Sequence, residues 1–225
     1  MRAAFFDIDG TLTTTRVWQG IMEYFRRHRL RQWTHRAFWL VHTPLYLLRR
    51  LGWIPEKDFR APWAAHLAWY VRGYTPEQAQ PIWDWIVVEF MSQRWRTDAL
   101  SLLLEHQRKG DLVILVSGGP LPLLERIAQQ WEVRHCIGTR FEIKDGRFSG
   151  RSLQPVCIDE NKRQLTYDYL QQNGLKVDLQ ASYAYADAIS DLPLLEMVGH
   201  PVAVYPDAPL RKAAEARGWQ TFPPS

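Results

Sequence analysis

The stretch MRAAFFDIDGTLT, Met1–Thr13, decides how the rest of the chain is read. Arg2–Phe6 is a short apolar run, and it stops at Asp7-Ile8-Asp9-Gly10, the pattern of a strand feeding a loop. A second strand signal, Leu112–Val116, is continuously apolar and β-rich, as in a strand buried on both faces of a parallel sheet. It stops at Ser117-Gly118-Gly119. Ser182–Ala186 is a third, ending at Asp187, and Val202–Val204 a fourth. Between them lie helical patterns at Ala99–Gln107, closed by Gly110, at Leu121–Trp131, at Asn161–Gln172, closed by Asn173-Gly174, and at Pro193–Val198. Arg140–Ile143 and Arg147–Ser149 flank an Asp-Gly hairpin turn. Strands alternating with helices predict an α/β fold with a doubly wound, mostly parallel core sheet.

Residues 16–96 differ from this frame. They carry 13 Lys and Arg against 6 Asp and Glu, a net +7, whereas the remainder is net −3. They also hold nine of the eleven tryptophans. Trp18, Ile21, Met22 and Phe25, and again Trp83, Ile86, Val87 and Phe90, follow helical spacing. The expected organisation is therefore an α/β core, residues 1–14 and 97–225, with an α-helical domain, residues 15–96, inserted after the first strand.

At 225 residues, with 46% hydrophobic and 23% charged residues, the composition is globular. Cys136 and Cys157 are too few for a disulfide framework and fit a reducing compartment. The first residues contain no long apolar h-region. The longest uncharged apolar run, Ala37–Leu48, includes His42 and Pro44 and falls short of the roughly 18 residues of a membrane span. The expected location is cytoplasmic.

Open α/β sheets bind ligands at the carboxyl ends of their strands. Here those ends carry Asp7, Asp9, Ser117 and Asp187, with Asp191 one turn on. Carboxylates converging on one crevice repel and call for a hard cation such as Mg²⁺. Lys162 offers fixed positive charge. The Asp7–Thr11 loop with Gly10, and Ser117-Gly118-Gly119 before a helix, offer amides for an anion. Together these groups suit phosphoryl transfer.

Four segments, FFDIDGTLT (Phe5–Thr13), LVILVSGG (Leu112–Gly119), Lys162 and YADAISD (Tyr185–Asp191), resemble in order the motifs of the haloacid dehalogenase superfamily, in its phosphoserine-phosphatase-like branch with a helical cap. The resemblance implies a phosphatase with Asp7 as nucleophile and Asp9 as acid and base. It implies Mg²⁺ on Asp7, the Asp9 carbonyl, Asp187 and Asp191. Ser117, Lys162, the Gly118 amide and the Gly10–Thr11 region would hold the phosphoryl oxygens. Arg163 is a neighbouring candidate for the lysine's part. The seven histidines are given no catalytic role.

The expected substrate is a small phosphorylated compound. Phosphoserine phosphatases carry a glutamate nine positions after the nucleophile, where this chain has Arg16, which repels an ammonium and attracts an anion. Glu23 is a weak replacement. Residues 16–50 hold eight arginines, one acid and several aromatic residues. Such a cap fits peripheral contact with an anionic membrane, and the core reaction on a lipid phosphate is then an alternative. A cap built on a tryptophan core with solvated arginines is the plainer reading. Docking on nucleic acid or another polyanion by a weakly active protein is the competing, less favoured use. The oligomeric state is left open.

Overall fold

The computed structural model describes residues 1–223, apart from the side chain of Lys57. Its strands are β1 (Ala3–Phe6), β2 (Leu112–Pro120), β3 (His135–Thr139), β4 (Phe141–Lys144), β5 (Arg147–Ser152), β6 (Tyr183–Ala186), β7 (His200–Val204) and β8 (Gln220–Phe222). Six of them form a sheet in the order β3-β2-β1-β6-β7-β8, with every pairing parallel. β4 and β5 form a separate antiparallel hairpin.

All four residues of β1 are buried, and its alternation sorts the core into two layers. Ala4 and Phe6 share one face with Val113, Leu115, Tyr185, Val202 and Val204. Helices α5 (Thr97–Arg108) and α6 (Leu121–Gln130) cover that face through Leu100, Leu103, Leu123, Leu124 and Ile127. Ala3 and Phe5 share the other with Ile114, Val116, Ala184, Ala186 and Ala203. There α7 (Glu160–Gln172), the short α8 (Leu192–Leu195) and α9 (Ala208–Arg217) supply Leu170, Leu194, Leu195, Leu210 and Ala214. Period-two side chains with helices on both faces are what a buried parallel sheet requires.

The insert consists of α1 (Val17–Arg27), α2 (Gln32–Arg50), α3 (Glu56–His66), a 3₁₀ turn over Leu67–Val71, α4 (Pro76–Trp85) and a π turn over Ile86–Phe90. Its entry and exit run side by side: Thr14 N–H donates to Arg94 O (2.7 Å), and Arg96 N–H donates to Leu12 O (2.8 Å). Ile21, Met22 and Phe25 of α1 are buried with Trp83, Ile86 and Val87 in the cluster that continues onto the sheet. Gly20 allows the close crossing, because a Cβ there would stand 2.8 Å from Ile86 Cγ2.

The structure departs from the periodicity in a few places. The run from Trp83 to Phe90 is not one α-helix; it turns π at Ile86-Val87-Val88, three β-branched residues of low helix propensity. β2 continues through Ser117-Gly118-Gly119 to Pro120, with a register shift against β3. β3, β8 and α9 escape a pattern search because two are short, mixed strands and the third is a polar helix.

Candidate active site

β1 lies between β2 and β6, where the winding of the sheet reverses, so the crevice opens at their carboxyl ends. Asp7 is the first residue past β1, and its N–H donates to Tyr185 O of β6 (2.9 Å). This pairing sets the Asp7 carboxylate beside the end of β6, where Asp187 follows Ala186. Gly10 turns the loop with φ +91°, and a Cβ there would stand 2.0 Å from Asp187 Oδ2. Glycine is required at that position both for the backbone and for the carboxylate it faces.

Asp7, Asp191 and Lys162 are each 3% exposed. Lys162 Nζ donates to Asp7 Oδ1 at 2.6 Å and lies 2.5 Å from Asp191 Oδ1. Thr11 Oγ1 donates to the other Asp7 oxygen, Oδ2, at 3.0 Å. Lys162 is thus held between two carboxylates with one of its three ammonium protons left over, although it is only the third residue of α7. Arg163 instead pairs with Glu160 near the surface. Asp191 stands before α8 without capping it through its side chain. The Ser117 hydroxyl, buried in the last part of β2, accepts the Gly119 N–H (3.2 Å), and Gly118 O accepts from Thr139 Oγ1 (2.8 Å).

One oxygen from each of Asp7, Asp187 and Asp191 lies within 4.8 Å of the others. Burial pushes the Asp7 carboxyl above its ordinary range, Lys162 pulls it down, and Asp191 raises it again. Desolvation, then Asp7 and Asp191, push Asp187 up to about 8. Burial disfavours the Lys162 ammonium, yet Asp191 and Asp7 outweigh it and hold the lysine protonated. Three carboxylates facing one ammonium leave a deficit of positive charge, and an all-oxygen donor set fits Mg²⁺.

Asp9 stands apart from this cluster. Its Oδ1 accepts the N–H of Val17, the first residue of α1, at 2.8 Å. Desolvation and then Asp7 push it up to about 7, opposed by that N–H and by Arg16. Arg16 is exposed, and with Asp9, Gly118 and Gly119 it lines a cavity of about 780 Å³. The far wall of the cavity is Trp18, Trp39, Tyr46, Phe59 and Trp63, with Arg49 paired to Glu56 and Arg60 paired to Asp159 nearby. Glu23 is absent from that lining and binds Arg26.

Some groups around the crevice were not foreseen as site residues. Asp207 caps α9 through the Leu210 N–H (2.8 Å), while its own N–H donates to Asp187 O (2.8 Å). The sequence signal for it is Asp-Ala-Pro at a helix start. Arg96 Nε donates to Gly10 O (3.1 Å) and lies over the Tyr205 ring at 3.8 Å. The aromatic wall comes from three separate helices, and no local pattern marks it.

Residues 4–196 match the family model of the haloacid dehalogenase-like hydrolases. The chain spans about half the length, 53%, of curated relatives that it matches at 32% identity. A histidinol-phosphatase from Neisseria meningitidis is 30% identical over 68% of this chain and 70% of its own length. A phosphoserine phosphatase from Mycobacterium tuberculosis is 28% identical over 97% of this chain and 69% of its own. Among solved structures, a protein of unknown function from Bordetella pertussis superposes with a TM-score of 0.82 at 25% identity, covering 98% of this chain and 97% of that one.

Proposed function

The chain belongs to the haloacid dehalogenase-like hydrolases, and we propose that within this family it is a Mg²⁺-dependent phosphomonoesterase acting through an aspartyl-phosphate. The observation that carries the reading is the buried set Asp7, Lys162 and Asp191 at the reversal point of the sheet, with half-buried Asp187 and Asp9 beside it. An Asp7 oxygen attacks phosphorus, and the bond to the leaving alkoxide breaks as Asp9 delivers its proton. Water then attacks the phosphorus of the aspartyl-phosphate, Asp9 takes the proton back, and Asp7 and phosphate separate. A carboxyl held at about 7 suits both transfers near neutrality. Lys162, Ser117, the Gly118 amide and the Gly10–Thr11 loop bind phosphoryl oxygens. Asp7, Asp187, Asp191 and the Asp9 carbonyl would hold Mg²⁺, which when bound supplies charge neutralisation for the phosphoryl group.

The cavity beyond Asp9 supports a leaving group larger than serine, with an apolar or ring-bearing body against Trp18, Trp39 and Trp63. Arg16 at its edge disfavours an ammonium near the ester. A panel of phosphorylated metabolites, including phosphoserine, histidinol phosphate, sugar phosphates and an aryl phosphate, tests both parts. Turnover of ring-bearing esters ahead of phosphoserine supports the reading. Absence of hydrolysis across the panel with Mg²⁺ present overturns it.

A further inference from the structure

Helix α2 is apolar on two sides, and only one of them is covered. Phe38 and His42 face the protein and are buried, while Trp39, Tyr46 and Arg49 line the cavity. On the opposite side Trp33, Ala37, Leu40, Pro44, Leu47 and Leu51 recur at spacings of four and three residues, which makes a single stripe about 28 Å long. Trp33 is 79% exposed, Leu40 77%, and Trp53, just past the helix, 74%. A helix that is apolar all round is normally buried, and a contiguous exposed apolar patch marks a contact surface. Arg36, Thr43 and Arg50 run along one edge of the stripe at seven-residue spacing. Arg36 lies over the Trp33 ring at 4.9 Å. From residue 24 to residue 55 the chain has seven arginines and no acidic residue.

We propose that this outer face of α2, with Trp53, docks on the surface of an anionic phospholipid bilayer. The stripe supplies apolar area for the acyl boundary, the arginine edge meets lipid phosphates, and the exposed tryptophans suit the headgroup layer. Charge decides against the other occupants. Two copies of this face would bring arginines together without a carboxylate to pair them. A nucleic-acid backbone would leave Leu40, Leu47 and Leu51 against its phosphates. No helix among the described residues is long and apolar enough to cross a membrane, and the proposed contact is an interfacial one, through a single helix face. The cavity lies on the inner side of α2. Docking therefore leaves a helix diameter of roughly 10 Å between it and the lipid, and the inference stands whichever ester is hydrolysed.

The test is cosedimentation of the full chain with phosphatidylcholine vesicles and with equimolar phosphatidylcholine–phosphatidylglycerol vesicles, at low and high salt. The expected result is binding to the anionic vesicles that weakens in salt, with a blue shift of tryptophan emission. Trp33→Glu/Leu40→Glu/Leu47→Glu lowers partitioning at least tenfold while circular dichroism and aryl-phosphate turnover stay as in wild type. Arg36→Glu/Arg50→Glu, which leaves the stripe intact, lowers binding to anionic vesicles by about fivefold or more per charge. Absence of wild-type binding to either vesicle overturns the proposal. So does a dimer in light scattering that the triple variant converts to monomer, or tighter binding to duplex DNA than to the anionic vesicles.

Discussion

At the strand ends Asp7, Asp191 and Lys162 are almost wholly removed from solvent, and on α2 Trp33 and Leu40 are almost wholly given to it. The two regions depart from the usual partition of residues in opposite directions. Each departure works against folding taken alone. A buried ion costs several kcal/mol unless it is paired and hydrogen-bonded. Apolar area left in water forgoes about 25 cal/mol per Å² of burial. The crevice answers its excess of carboxylates only in part, with one lysine. The stripe on α2 is answered by nothing among the described residues. The comparison teaches that the places where this sequence fails to satisfy itself are the places where the proposed contacts fall: a cation and a phosphoryl group at one, a surface at the other.

The sharpest way to break the first half of that comparison is Asp7→Asn, which is nearly isosteric but cannot attack phosphorus. Turnover is expected to vanish with the fold retained, as followed by initial rates and circular dichroism. Rates comparable with wild type would remove the covalent route. Chelation comes next. Exhaustive EDTA treatment should abolish activity and Mg²⁺ should restore it. Ca²⁺ should restore it poorly, because its larger and looser shell misplaces the phosphoryl group. Asp9→Asn should slow hydrolysis by roughly 10²–10⁴-fold through lost proton transfer, least for the best leaving groups. Arg16→Glu is smaller in scale: it should raise phosphoserine turnover relative to other esters, and an unchanged ratio would place Arg16 outside substrate selection.

The smallest effect sharpens the contrast through stability. Asp187 at about 8 and Asp9 at about 7 both sit above an ordinary aspartate, near 4. Raised carboxyl groups favour the fold while they keep their protons. Their contribution is intact below about pH 4 and is lost by about pH 8. Metal-free protein should accordingly lose thermal stability as pH rises through that window. Mg²⁺ should flatten the slope, and Asp187→Asn should remove much of it. A slope of opposite sign in the metal-free protein would mean that Lys162 already satisfies the cluster.

Much of the crevice was legible because its residues sit at abrupt ends of apolar runs: Asp7 after Phe6, Ser117 after Val116, Asp187 after Ala186. Lys162 illustrates the limit. A lysine near the start of a helix ordinarily reads as solvated, and its partners Asp7 and Asp191 come from distant parts of the chain. The tryptophans illustrate another. Composition groups Trp83, which is buried in the insert, with Trp33, which is exposed, because both lie in the same basic segment. Periodicity does not separate the two sides of α2 either, since Phe38 and His42 alternate with Leu40 and Pro44 in one nearly continuous apolar run. The packing of α3, the 3₁₀ turn and α1 against one side of that helix decides which residues remain outside.

The single N–H of Val17 on Asp9 ties proton bookkeeping to mechanics. That bond favours the ionised carboxylate, so a shift of α1 by more than about an ångström removes one of the groups that hold the Asp9 pKa down. The same shift admits water to a carboxyl that is raised chiefly by burial, and this acts in the opposite direction. The base of the insert thus bears directly on the proton that Asp9 carries, through a backbone amide of the helical segment itself.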